Sequence, residues 1–177
     1  MEWLTVSQEE FLENRSEYMD NPKSFLMMPC SCEPISFEDI PKWNEELKEH
    51  LQEWEEMEQV HLRSDIKLVP FGQSAGGDIY CFLYQEENEE PMVIQIWHDR
   101  FDAPYIEGRN FEEFMYYQIL DSLVVDTQPE DPVFLAHLEY LLPQYRHLIE
   151  GKDREELLAE YEAMKIDEIE IMNSEKN

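Results

Sequence analysis

The sequence predicts an α+β fold: an antiparallel sheet of about four to six strands flanked by N-terminal and C-terminal helices. Three observations carry that prediction. Apolar runs of strand length at 66–71, 79–84 and 93–97 are separated by a glycine-bearing turn and a charged loop. Trp43, Leu47, Leu51, Trp54 and Met57 recur at spacings of four, four, three and three, which is the period of a helix with one apolar face. After residue 110, apolar residues again recur with helical period, between residue types that cap helices.

Taken in order, residues 5–20 read as a short helix with loosely periodic Val6, Phe11, Leu12 and Tyr18. Residues 21–36 hold three prolines and read as extended, with a short strand around 25–28. Pro41 then suits an early helical position, since its missing N–H has no partner there in any case. The helix it opens places Glu45, Glu46, Glu49, Glu53, Glu55 and Glu56 mainly on its wet sides.

In the sheet, Gly76-Gly77 marks a turn that needs positive φ or a close approach which a Cβ would obstruct. The run 79–84 has no polar alternation and reads as a strand buried on both faces. Glu86, Glu87, Glu89 and Glu90 cannot be core and form a hairpin loop. Pro91 precedes the partner strand, where a missing N–H is tolerated. Asn110 and Glu113 read as N-cap and capping-box partner of a helix with Phe111, Phe114, Met115 and Ile119 on one face.

A second C-terminal helix is expected from Pro132 to about Leu142, interrupted at Pro143 and extended by Tyr145, Leu148 and Ile149. Gly151 closes that element. Asp153 and Glu156 open a last helix carrying Leu157, Leu158, Tyr161 and Met164, and the tail from Asn173 is expected to fray. The chain is thus expected to form a single domain over 1–177, with a core sheet at about 66–99, a helical N-terminal elaboration over 1–65 and helices over 110–172.

Several pieces of this pattern occur together: Gly-Gly-Asp-x-Tyr-Cys-Phe at 76–82, an acidic hairpin, Pro-x-Val at 91–93, Trp-His-Asp at 97–99 and Phe-Glu-Glu-Phe at 111–114. In this order and spacing the stretch 66–119 resembles the core of the SUKH superfamily, which contains fungal cell-wall-integrity regulators and bacterial immunity proteins. Ahead of Ile66 the sequence departs from that family, lacking its Leu-Pro-x-x-Tyr helix that ends in Asn-Gly-Gly. The resemblance implies an α+β protein that works by binding another protein.

Charge narrows the partner. The chain carries 42 acidic against 13 basic residues, a net charge of −29. Acids outnumber bases in every segment, so this is an anionic body rather than an acidic tail. Such a surface repels nucleic acid and anionic membranes, and draws basic proteins in by long-range steering. The sequence holds no apolar run of membrane-spanning length and no basic, apolar leader at Met1. Three cysteines, an odd number, suit a reducing compartment better than a disulfide framework, so a cytoplasmic location is expected.

Nothing in the sequence points to chemistry. His50, His61, His98, His137 and His147 form no zinc-type spacing, and Cys30 and Cys32 with Cys81 fall short of a structural metal set. His98 and Asp99 are neighbours on a strand, so their side chains point to opposite faces. No phosphate-binding loop, dinucleotide fingerprint or nucleophile elbow is present. No catalytic residue, metal or cofactor is expected.

Two acidic stretches flank the sheet instead of coating a helix, and they are the candidate partner-binding residues. One is Glu86, Glu87, Glu89 and Glu90; the other is Asp99, Phe101, Asp102, Tyr105 and Glu107, where aromatic groups are rimmed by carboxylates. Together with the resemblance, these features lead to the expectation of a non-enzymatic immunity protein. Its partner would be a cognate, basic, nucleic-acid-directed toxin whose active surface it occludes. An intracellular regulatory adaptor, or an acidic mimic of nucleic acid acting on a DNA-binding enzyme, are the alternatives.

Overall fold

The structure is a computed structural model that describes residues 4–6, 25–27, 32–36, 38–74, 76–85, 90–125, 128–139, 141–164 and 167–174. Its architecture is α+β, with an antiparallel sheet flanked by N-terminal and C-terminal helices, and two compact units make it up. One comprises Met1–Glu33 with Glu112–Lys165, the other Pro34–Phe111 with Ile166–Asn177.

The second unit holds the sheet. Its strands are β3 (Glu33–Pro34, from Pro34 on), β5 (Lys67–Gln73), β6 (Ile79–Tyr84), β7 (Met92–Trp97), β8 (Arg100–Gly108) and β9 (Asp167–Glu168), which lie side by side in that order. From β5 to β9 all neighbours are antiparallel. Helix α1 (Ile40–Glu58) lays Leu47 and Leu51 into a core shared with Ile79, Cys81, Leu83, Ile94, Ile96 and Phe101. Trp43 and Trp54 pack at its edge, as their helical spacing predicts. Met57, read as part of the same stripe, is instead 67% exposed: the helix ends at Glu58 and its last turn passes beyond the core.

Strand β6 is buried on both faces, as its unbroken apolar run requires. Ile79, Cys81 and Leu83 face the core with α1. On the opposite face, Phe82 stacks on Phe71 at 4.4 Å between ring centroids, and Phe111 closes edge-on against Phe71 at 6.3 Å. Complete burial pushes the Cys81 thiol pKa far up, so it behaves as a small apolar side chain.

Two elements of this unit differ from the sequence reading. The stretch beyond Asp99 does not flank the sheet but continues it as a nine-residue strand, β8. Its pattern is obscured because it is bulged: Gln95 pairs with Tyr105 and Trp97 with Arg100, so Ile96 alone faces residues 101–104. Pro104, which has no N–H to offer, falls in that bulge. Nor does the tail fray at Asn173. Residues 167–168 form β9 along β8, and Met172–Ser174 form β10, which pairs antiparallel with β4 (Val60–Leu62).

The first unit contains a parallel pair, β1 (Leu4–Val6) and β2 (Phe25–Met27), with the helices α2 (Phe111–Val125, from Glu112 on), α3 (Pro132–Leu138), α4 (Pro143–Ile149) and α5 (Arg154–Ala163). The strand at 25–28 is therefore present. The expected helix over 5–20 is replaced at its start by β1, and its remainder lies outside the described residues. Phe114, Met115, Ile119, Leu120, Phe134, Leu141, Ile149 and Leu157 are buried here. Pro143 opens a new helix rather than interrupting one, since the first helical turn has no use for its N–H. Gly151 takes φ +83° after α4, and Asp153 with Glu156 forms a complete capping box on α5.

Gly77 takes φ +92° in the β5–β6 turn, whereas Gly76 does not have a positive φ. Gly77→Ala is expected to cost about 1–2 kcal/mol by forcing a Cβ into the left-handed region. Gly76→Ala is expected to be close to neutral, because its Cβ would meet Ser74 and Asp78 at ordinary distances of 3.5 and 3.7 Å. Urea unfolding of the two variants checks this, and equal losses would refute it.

Candidate protein-binding surface

One end of the sheet is built by two turns whose side chains interlock. In the β5–β6 turn, Ser74 N–H donates to the Asp78 carbonyl at 2.8 Å and Gly77 N–H to the Ser74 carbonyl at 3.0 Å. The Ser74 hydroxyl oxygen accepts from Gly76 and Asp78 N–H and donates to Asp78 Oδ2 at 2.9 Å. Asp78 then reaches across the sheet, accepting from Gln95 Nε2 at 3.2 Å, His98 N–H at 3.2 Å and His98 Nδ1 at 3.0 Å. An ionised carboxylate only accepts, so Nδ1 of His98 carries the proton.

The electrostatics follow from that geometry. Partial burial alone would raise the Asp78 pKa, but the hydrogen bonds from His98 and Ser74 outweigh it and hold the carboxyl below its ordinary range. The Asp78 hydrogen bond raises the His98 pKa, aided by the charges of Asp99 and Asp78. Serine, carboxylate and imidazole thus lie together, but in an order unsuited to nucleophilic catalysis. A nucleophile must touch the imidazole base, and here the carboxylate stands between them, with Ser74 bonded to Asp78. The arrangement clasps two turns. Among the described residues no cluster of three or more metal-ligating side chains is found, and no helix is long and apolar enough to cross a membrane.

The clasp sets the β7–β8 turn, and that turn displays aromatic surface. Ile96 points into the core, so Trp97 turns the other way and is 41% exposed. Tyr105 on β8 meets it edge-to-face, with ring centroids 5.4 Å apart and planes at 84°. Asp99 is exposed in the turn. Arg100 lies beside it in a two-pronged pair with Glu168 at 3.0 and 3.2 Å.

The candidate residues do not gather in one place. Asp99 and Tyr105 belong to this aromatic end. Glu90 is exposed at the other end of β7, which is six residues long and so spans roughly 20 Å. There it rims a cleft of about 250 Å³ lined by Leu83, Gln85, Met92, Ile106 and Arg109. Glu107 is half-buried on β8 toward that second end. Asp102 lies in the β8 bulge, and Glu86, Glu87 and Glu89 lie outside the described residues.

Phe101, read as a surface anchor, is buried, with Trp54 and His50 rings 5.7 and 6.2 Å away. The bulge turns it inward. Sequence reasoning missed Trp97 and the Asp78–His98 clasp. The Gly-Gly-Asp and Trp-His-Asp pieces were visible, but not that the aspartate of the first holds the histidine of the second.

The family model described as SMI1 / KNR4 family (SUKH-1) matches residues 9–116. The match begins well ahead of Ile66, so it takes in most of the N-terminal third as well as the sheet from β3 to β8. No curated protein and no solved structure matches the chain.

Proposed function

We propose, from the premise that this chain belongs to the SMI1 / KNR4 family (SUKH-1), that it is a non-enzymatic immunity protein acting on a cognate toxin. The toxin is a basic, nucleic-acid-directed protein, and the immunity protein occludes its active surface. Membership in the family suggests a role in protein–protein interaction of the immunity or adaptor type. The observation that carries the finer reading is the sheet end held by Asp78, which presents Trp97, Tyr105 and Asp99 on a body of net charge −29. Charge brings a cationic partner in quickly, and the aromatic surface slows its departure.

Co-expression with the toxin encoded beside its own gene is expected to restore growth. In stopped flow, the association rate is expected to fall at least tenfold between about 50 and 500 mM salt, because the Debye length shrinks from about 14 to 4 Å. A flat salt response would remove the steering component. Capture of several partners without any growth rescue would favour the adaptor reading.

A further inference from the structure

We infer that the aromatic end of the sheet is a receptor for an arginine side chain of the partner, its guanidinium stacked on Trp97 and paired with Asp99. This deepens the proposed function and rests on it.

Three observations point to a guanidinium. First, Trp97 is a large apolar side chain left 41% exposed directly after the fully buried Ile96, and Tyr105 braces its ring. An indole braced by a neighbouring ring and partly open to solvent offers aromatic surface at little cost in ordering entropy. Second, the charge beside it is complementary to a cation. The carboxylates of Asp78, Asp99 and Glu168 outnumber Arg100 and a protonated His98, and both of those cations are already engaged, with Glu168 and Asp78. Exposed Asp99 is the carboxylate of this turn turned to solvent. Third, the turn is held by side-chain and backbone hydrogen bonds to Asp78, so the surface is formed before the partner arrives.

Exposed aromatic surface two residues from an exposed carboxylate suits a planar, weakly hydrated fork better than a compact ammonium. Arginine is therefore the occupant, and lysine the weaker substitute.

The test is a titration of the full ¹⁵N-labelled chain with a hexa-arginine peptide and, separately, a hexa-lysine peptide. The Trp97 indole N–H resonance is assigned by its loss in Trp97→Phe. Saturable movement of that resonance by hexa-arginine is expected, at about threefold or more lower concentration than by hexa-lysine. Asp99→Asn is expected to weaken the arginine response by about threefold or more. Shifts spread over the acidic face of α1 with the Trp97 signal unmoved would overturn the assignment, as would equal responses to the two peptides.

The growth-rescue experiment reads the function separately. Rescue with an unresponsive Trp97 sinks this surface and leaves the immunity reading standing. A responsive Trp97 without rescue does the reverse.

Discussion

Asp78→Ala is expected to destabilise the sheet-bearing unit by about 2–3 kcal/mol. The substitution removes a carboxylate that accepts from Ser74, Gln95 and both the backbone and ring of His98. Hydrogen bonds to a charged group each contribute on the order of 1.5–3 kcal/mol, but the donors at the solvent side can turn to water, which keeps the total well below their sum. Asp78→Asn keeps the shape while replacing one accepting oxygen by a donor that faces other donors, and should recover less than half of the loss.

The same carboxylate makes stability depend on pH in two directions. Its folded pKa is depressed below the ordinary 3.8, so its contribution is present above that value and lost as pH falls through the folded one. The His98 pKa is raised above 6.5. Its contribution is complete below 6.5 and is lost as pH rises through the raised value. The clasp is therefore tightest between about pH 4 and 6.5, and alkaline titration loosens it. Urea midpoints measured from pH 5 to 9 should fall more steeply in the wild type than in Asp78→Ala, where His98 has lost its partner. Parallel pH profiles would show that the Asp78–His98 contact contributes nothing in solution.

Phe101→Ala is the second large effect, expected at about 3–4 kcal/mol, with a drop in Tm of roughly 10 °C. Phe101 is 5% exposed and packs on Trp54 and His50, so truncation leaves a cavity against α1. If the residue were the partner-facing anchor that its acidic neighbours suggest, Phe101→Ala would weaken binding and leave the melting temperature almost unchanged. Differential scanning calorimetry beside a binding titration of the folded protein separates the two outcomes.

What was readable depended on how local the signal was. Helix α1 was visible because Trp43, Leu47, Leu51 and Trp54 repeat with the period of the helix they build, and its proline start lies in the same few residues. Strand β6 was visible because a strand buried on both faces cannot alternate. The capping box of α5 needs only Asp153 and Glu156. Met57 misled because periodicity states which face a residue is on, not how far along the helix the core extends.

The unread elements all depend on a distant neighbour. Asp167–Glu168 and Met172–Ser174 carry no strand pattern of their own and are strands because β8 and β4 pair with them. The bulge in β8 hid the alternation of a strand and carried Phe101 to the inside.

Composition and periodicity by themselves determined the α+β class, the helix under the sheet, the doubly buried strand and the anionic surface. Each of these follows from side chains that interact within a few residues or from charge summed over the chain. Tertiary structure alone decided that Asp78 holds His98 twenty positions away. It alone also decided that Trp97 rather than Phe101 faces solvent. Strand pairing and bulges set which residues meet across a sheet, and hydrogen bonds between strands leave no period in the sequence that makes them.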